Sequence, residues 1–139
     1  QQMALGYGAT DIVAERGAEG LARVMEMTKG VGAHSVLECV GTQESMMQAL
    51  NCARPGGSIG FVGVPHGVQI AGQDLFFAQK SLMGGPAPVR RFLPYLMDLV
   101  LKREINPGRV FDLEIPLSDV AEGYRAMDAR RALKALLRL

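Results

Sequence analysis

Tryptophan is absent, and aromatic residues make up only 6% of the 139-residue chain. Two cysteines, Cys39 and Cys52, are too few for a disulfide framework. They lack C-x-x-C spacing, no histidine stands near either as a metal ligand would, and their apolar neighbours read them as small buried hydrophobes. An excess of one charge is missing too, with 15 basic against 14 acidic residues and a net charge of +1. That balance gives no electrostatic case for binding nucleic acid or an anionic membrane surface. No apolar run approaches the roughly 20 residues of a membrane span. Residues 1–10 have neither a basic stretch nor a sustained apolar one, so no signal peptide is read and the expected compartment is the cytoplasm. What is present is ordinary for a globular protein: 48% apolar and 21% charged residues. The length fits one domain burying about 68% of its unfolded surface. The chain opens on Gln1-Gln2-Met3-Ala4-Leu5, already inside an apolar helical pattern with no start methionine and no cap.

Signature motifs are also missing. Only Gly6/Gly8 and Gly30/Gly32 have the two-residue spacing of a dinucleotide turn, and neither has the third glycine in place. There is no phosphate-binding G-x-x-x-x-G-K-[ST], no H-E-x-x-H, and no cluster of Cys, His and carboxylate suited to catalytic zinc. Gly56-Gly57-Ser58-Ile59-Gly60 matches G-x-S-x-G, but Ser58 opens a β-run instead of ending one, and no acid separates it from His66 in the required order. A hydrolase is therefore rejected.

Along the chain, short β-like runs alternate with helical patterns. Residues 1–7 read as the last turns of a helix ended by Gly6 and Gly8, and residues 11–14 as a short strand. Residues 19–28 place Leu21, Val24, Met25 and Thr28 on one helical face. Residues 35–40, Ser-Val-Leu-Glu-Cys-Val, are nearly continuously apolar, as a strand covered on both faces should be. Gly41 ends that strand, and Thr42 caps a helix carrying Met46, Leu50 and Ala53. Arg54-Pro55-Gly56-Gly57 reads as a turn and residues 58–64 as the next strand. Strand, helix and strand with this crossover make a right-handed βαβ unit, hence a parallel sheet with helices on both faces.

In the second half of the chain the pattern changes. Residues 74–79 are a short apolar helical turn, and 81–83 a last strand ending at Gly84-Gly85-Pro86. Residues 89–103 form an amphipathic helix with Phe92, Leu93, Leu96, Leu99 and Val100 on one broad face. Strand 110–115, helix 118–128 and strand 133–139 close the chain, and a boundary is expected near Ala87.

Glycine recurs at the C-terminal ends of the parallel strands, at Gly41, Gly63 and Gly84-Gly85. In open α/β sheets that edge holds the ligand, and glycine lets backbone approach a flat cofactor closely. Glycine also simply ends strands, so this pattern speaks for a binding edge but names no ligand. His34 precedes a strand and reads as a solvated loop residue. His66 stands on the ligand edge, where it is either a cofactor or substrate contact or an exposed loop residue. Arg90-Arg91 and Arg130-Arg131 read as solvated charges.

Taken in order, Gly8-Ala9-Thr10-Asp11, Val36-Leu37-Glu38-Cys39-Val40-Gly41, Ala53-Arg54-Pro55-Gly56-Gly57 and Val62-Gly63-Val64-Pro65 resemble the zinc-dependent alcohol dehydrogenases of the medium-chain dehydrogenase/reductase superfamily. Leu82-Met83-Gly84-Gly85, Gly108-Arg109-Val110-Phe111-Asp112 and Gly123-Tyr124-Arg125-Ala126-Met127-Asp128 are similar to the same family's C-terminal region. The resemblance covers essentially the whole chain, and its specificity lies in the ordered set.

The resemblance implies an α/β fold: the C-terminal half of a Rossmann-like doubly wound parallel sheet over residues 1–87, then an α+β return segment over residues 88–139 that packs on a catalytic domain. It implies roughly 200 preceding residues, a length of typical domain size, holding the G-x-G-x-x-G turn and the zinc ligands. The cofactor would be NAD or NADP, with zinc in the full-length enzyme, a small alcohol, aldehyde or ketone as substrate, and a homo-oligomer, dimer or tetramer, formed through the sheet edge. Cys39, Val40 and Gly41 would line the adenosine side of the cofactor groove. Val62, Gly63 and Val64 would lie against the nicotinamide, and Gly85, Pro86 and Ala87 would complete the carboxamide pocket. Lys134 falls where the family often has a basic residue near the pyrophosphate, or is a surface lysine. No catalytic residue and no metal ligand is expected within the chain, and by itself it is expected to be inactive, to bind cofactor weakly and to self-associate. A zinc-free quinone-reductase-like relative, a sugar or amino-alcohol dehydrogenase, and a non-catalytic Rossmann-like binding or assembly module are the alternatives.

Overall fold

A computed structural model describes all 139 residues, which divide into two units, Gln1–Ala87 and Pro88–Leu139. In the first unit, α1 (Gln2–Gly6) and α2 (Gly17–Met27) precede β1 (Ala33–Glu38), α3 (Gln43–Cys52), β2 (Ala53–Phe61), α4 (Gly72–Ala78) and β3 (Ser81–Gly84). The three strands form one parallel sheet in the order β1-β2-β3. Parallel pairing follows from the chain itself, because each pair of strands is joined by a helix long enough to cross back over the sheet.

The core comes from helix α3 laid on β2. Met46, Ala49 and Leu50 recur at helical spacing, are buried, and meet Ile59 on the sheet, whereas Ala53, expected on the helix, is buried as the first residue of β2 because it pairs with Ala33. Val36, Leu75 and Leu82 pack around them. Helix α3 starts where expected: the Thr42 hydroxyl accepts from the Ser45 amide, and the Ser45 hydroxyl accepts from the Thr42 amide, a reciprocal capping box.

Five local expectations are corrected. Residues 11–14 form no strand, because they have no ladder partner. Strand β1 is covered on one face only: Leu37 and Met83, in one register row with Gly60, are 79% and 78% exposed. Cys39 lies beyond the strand and is exposed, whereas Cys52 is buried as expected. The Arg54-Pro55-Gly56-Gly57 segment is no free turn but a bulge within β2. Ala33 pairs with Ala53 and Ser35 with Ser58, so four residues of β2 stand opposite His34 alone. Gly56 supplies the positive φ (67°) that the bulge needs. His34 is therefore a strand residue, exposed at that bulge.

The second unit contains α5 (Val89–Leu101), a 3-10 turn (Pro107–Val110), β4 (Leu113–Pro116), a 3-10 turn (Leu117–Asp119), α6 (Val120–Asp128) and β5 (Ala135–Arg138). The expected strand over 110–115 starts later because Pro107 and Gly108 coil the chain first. β4 and β5 pair in parallel around α6. Gly123 lets that helix sit close to the sheet: a Cβ there would lie 3.0 Å from Ile115 Cδ1. The Asp112 carboxylate accepts from the Leu133 and Lys134 amides, and Arg138 grips Glu114 through two nitrogens at 2.6 and 3.0 Å. Helix α5 runs through Pro94, which forgoes one helical hydrogen bond, and its Phe92, Leu93, Tyr95 and Leu96 remain exposed. No helix is long and apolar enough to cross a membrane.

Candidate functional site

At the C-terminal ends of β1 and β2 the chain leaves the sheet in two loops, residues 39–42 and 62–66. Their backbones touch. A Cβ on Gly63 would lie 2.4 Å from the Gly41 nitrogen, and one on Gly41 would lie 2.2 Å from the Val64 carbonyl oxygen. No side chain larger than hydrogen fits in this seam, and Gly41 also adopts a φ of +90°. The His66 amide donates to the Gly41 carbonyl at 3.2 Å and adds a third tie.

The seam separates two concavities. Cys39 and Val40 line a groove of about 420 Å³ running along β1, with Ser45, Gln48 and Ala49 of α3 on its wall. Phe61, Val62, Gly63, Val64, Gly85 and Pro86 enclose an apolar niche of about 240 Å³ at the ends of β2 and β3. Val40, Val62 and Val64 are all well exposed there, an unusual concentration of bare valine on loops. Of the residues singled out from sequence, Gly41, Val62, Gly63, Val64, Gly85 and Pro86 thus come together, with Cys39 and Val40 just across the seam. Ala87 closes the first unit and lines neither concavity. Lys134 belongs to the second unit, beside a groove of about 250 Å³ with Val120, Tyr124 and Met127. Ser58 is embedded in the ladder between Ser35 and Ser81, which no nucleophile elbow would allow.

One residue escaped the sequence reading as a site member. Glu38 is the buried acidic side chain of the first unit, 3% exposed. Its Oε1 accepts from the Val40 amide (2.7 Å), the Gly41 amide (2.8 Å) and the Ser45 hydroxyl (2.7 Å). Its main-chain carbonyl accepts from the Val62 and Gly63 amides at 2.9 and 3.4 Å. Oε2 is buried and has no partner in the chain. Burial alone would raise the carboxyl's pKa, but the bonds from Gly41, Ser45 and Val40 outweigh it and hold the group below its ordinary value. The available signal was a lone carboxylate in an apolar strand, three residues before a glycine.

A family profile described as zinc-binding dehydrogenase matches residues 1–102. The chain belongs to that family. It is 32% identical over 139 residues to a zinc-type alcohol dehydrogenase B of Aspergillus flavus, covering 99% of this chain and 32% of that protein. It is 36% identical over 132 residues to a protein of Mycobacterium tuberculosis named probable zinc-binding alcohol dehydrogenase, covering 93% of this chain and 33% of that one. The solved alcohol dehydrogenase TADH from Thermus sp. ATN1 superposes with a TM-score of 0.90 at 28% identity, over 99% of this chain and 40% of that chain. The chain therefore spans about a third of the length of the curated relatives it matches.

Two groups associated with such enzymes can be tested against the residues present. For zinc the donor set does not fit: no three His, Cys, Asp or Glu side chains come together as ligands. For a nicotinamide ring the fit is good. The niche is apolar, open at a sheet's carboxyl edge and walled by backbone that a Cβ at Gly63 would disrupt.

Proposed function

We propose that this chain forms the nicotinamide-facing part of an oxidoreductase that interconverts small alcohols with aldehydes or ketones using NAD or NADP. The observation that carries the reading is the apolar niche of Val62, Gly63, Val64, Gly85 and Pro86 at the carboxyl ends of two parallel strands, in a chain of the zinc-binding dehydrogenase family. When bound, the nicotinamide supplies the hydride acceptor or donor.

The chain's own residues bind and orient. Val62 and Val64 offer apolar surface to a flat ring, and the niche walls exclude water from one of its faces. The Val62 and Gly63 amides are already engaged by the Glu38 carbonyl, and the Val64 carbonyl packs against Gly41 in the seam, whereas nothing in the chain engages the Val62 carbonyl. The Val62 carbonyl would accept from a carboxamide. Cys39, Val40 and Gly41 would border the adenosine side, and Ala87 would follow the carboxamide pocket. Zinc, if the full-length enzyme uses it, would be held outside these residues. Self-association through the unpaired outer edge of β3 belongs to the same reading.

The test is hydride transfer by the full-length protein carrying this chain, measured as reduced-nicotinamide absorbance with NAD and NADP over a panel of primary and secondary alcohols. Turnover that Val62→Asp abolishes supports the proposal. No turnover across the panel, together with no dinucleotide-induced NMR shift at Val62, Gly63 and Val64, overturns it.

A further inference from the structure

Glu38 does more than fill the core: it is where both strand-end loops are fastened. Its carboxylate holds the first loop through the Val40 and Gly41 amides, and its carbonyl holds the second through Val62 and Gly63. The Ser45 hydroxyl donates to the same carboxylate oxygen while accepting from the Thr42 amide. This ties the joint to the first turn of α3, whose residues supply the core. The seam packs main chain against main chain, with no room for a Cβ at either Gly41 or Gly63. Any rotation of the first loop is thus transmitted to Val64, on the wall of the niche.

We propose that Glu38, set by Ser45, is a positioning residue for the dinucleotide: it fixes the spacing of the Val40–Gly41 and Val62–Val64 loops and so sets affinity for the nicotinamide cofactor without touching it. The inference rests on the reading of the niche as the nicotinamide site. The bonds are short, charge-assisted and shielded from water, so their loss should be felt at the loops themselves. Glutamine retains an acceptor at Oε1. Alanine removes it and leaves three bonding partners, the Val40 and Gly41 amides and the Ser45 hydroxyl, to be rearranged.

The experiment compares wild type, Glu38→Ala, Glu38→Gln and Ser45→Ala in the full-length protein, with KM for dinucleotide, kcat and thermal midpoint read for each. The expected result is a KM for dinucleotide raised about tenfold or more in Glu38→Ala, with kcat changed by less than about threefold. Glu38→Gln should return KM to within about threefold of wild type, and Ser45→Ala should raise it about two- to fivefold with the thermal midpoint nearly unchanged. Amide hydrogen exchange in the 139-residue chain gives a second measurement: Ser45→Ala should speed exchange at Val40 and Gly41 together with Val62 and Gly63. If Glu38→Ala does not fold, Ser45→Ala and Glu38→Gln decide. Variants that lower the thermal midpoint while leaving KM at the wild-type value overturn the proposal and leave Glu38 a stability residue. Wild type that neither binds nor turns over either dinucleotide overturns the underlying reading and this inference with it.

Discussion

Gly41 and Gly63 share one van der Waals seam, in which a methyl group on Gly63 would stand 2.4 Å from the Gly41 nitrogen and 2.6 Å from Val40 backbone atoms. The obstructing atoms are main chain, which cannot swing aside as the end of a lysine or methionine would. The seam therefore makes a sharp statement about stability.

Gly63→Ala and Gly41→Ala should each lower the free energy of unfolding by about 3 kcal/mol or more. Gly30→Ala is the control: Gly30 has φ +80° but nothing within 4 Å of its would-be Cβ. It should lose only about 1–2 kcal/mol of left-handed strain. Urea denaturation followed by circular dichroism measures all three. Equal losses at Gly63 and Gly30 would show that the two loops do not touch.

Glu38 makes stability depend on acid in a defined direction. Its carboxyl lies below its ordinary value in the folded chain despite the burial that opposes this. The contribution is therefore complete above the unfolded carboxyl's value of about 4.3 and is lost as pH falls through the lower folded value. Glu38→Gln should flatten that part of the acid limb in a series of urea melts between neutral and low pH. An unchanged limb would mean that Glu38 does not keep its charge on folding.

Lys80 caps the far end of the same helix. Its Nζ donates to the Leu50 carbonyl at 2.7 Å, within the last turn of α3 where carbonyls lack helical partners. Lys80→Met keeps the alkyl stem and removes the donor. It should cost about 1–2 kcal/mol in the same urea assay, from the lost bond and the lost charge at a helix C-terminus.

The thiols should react in two separate steps. Cys39 is exposed beside the β1 groove, whereas Cys52 is buried. Burial pushes the Cys52 thiol's pKa up, and the Lys80 ammonium only partly offsets it. Titration with an aromatic disulfide reagent should release one equivalent at once and the second only at the rate of unfolding. Two fast thiols would contradict the packing of α3 against β2.

Periodicity made most of the first unit legible. The spacing of Met46 and Leu50, the cap at Thr42 and the strand around Val36 and Leu37 are local signals that packing reinforces. The misreadings occur where a partner decides the outcome. Residues 11–14 have strand-like composition but no ladder, and Arg54–Gly57 has turn composition that the β1 pairing draws into a bulge. Cys39 looked buried from its apolar neighbours, yet it stands past the strand end where the sheet no longer shelters it. At the site, strand-end glycines pointed to the edge, but their mutual contact and the Glu38 fastening are tertiary facts that no spacing along one chain could show.

Strand order and chain order coincide in both units: β1, β2 and β3 lie side by side in the sequence in which they are made, and so do β4 and β5. A ribosome releasing this segment delivers each strand's partner one helix later, never from a distant part of the segment. Pairing can then advance in the direction of synthesis, with one helical crossover to close at each step. The crossover that carries α3 thus brings β2 its core and its β1 partner in the same stretch of chain.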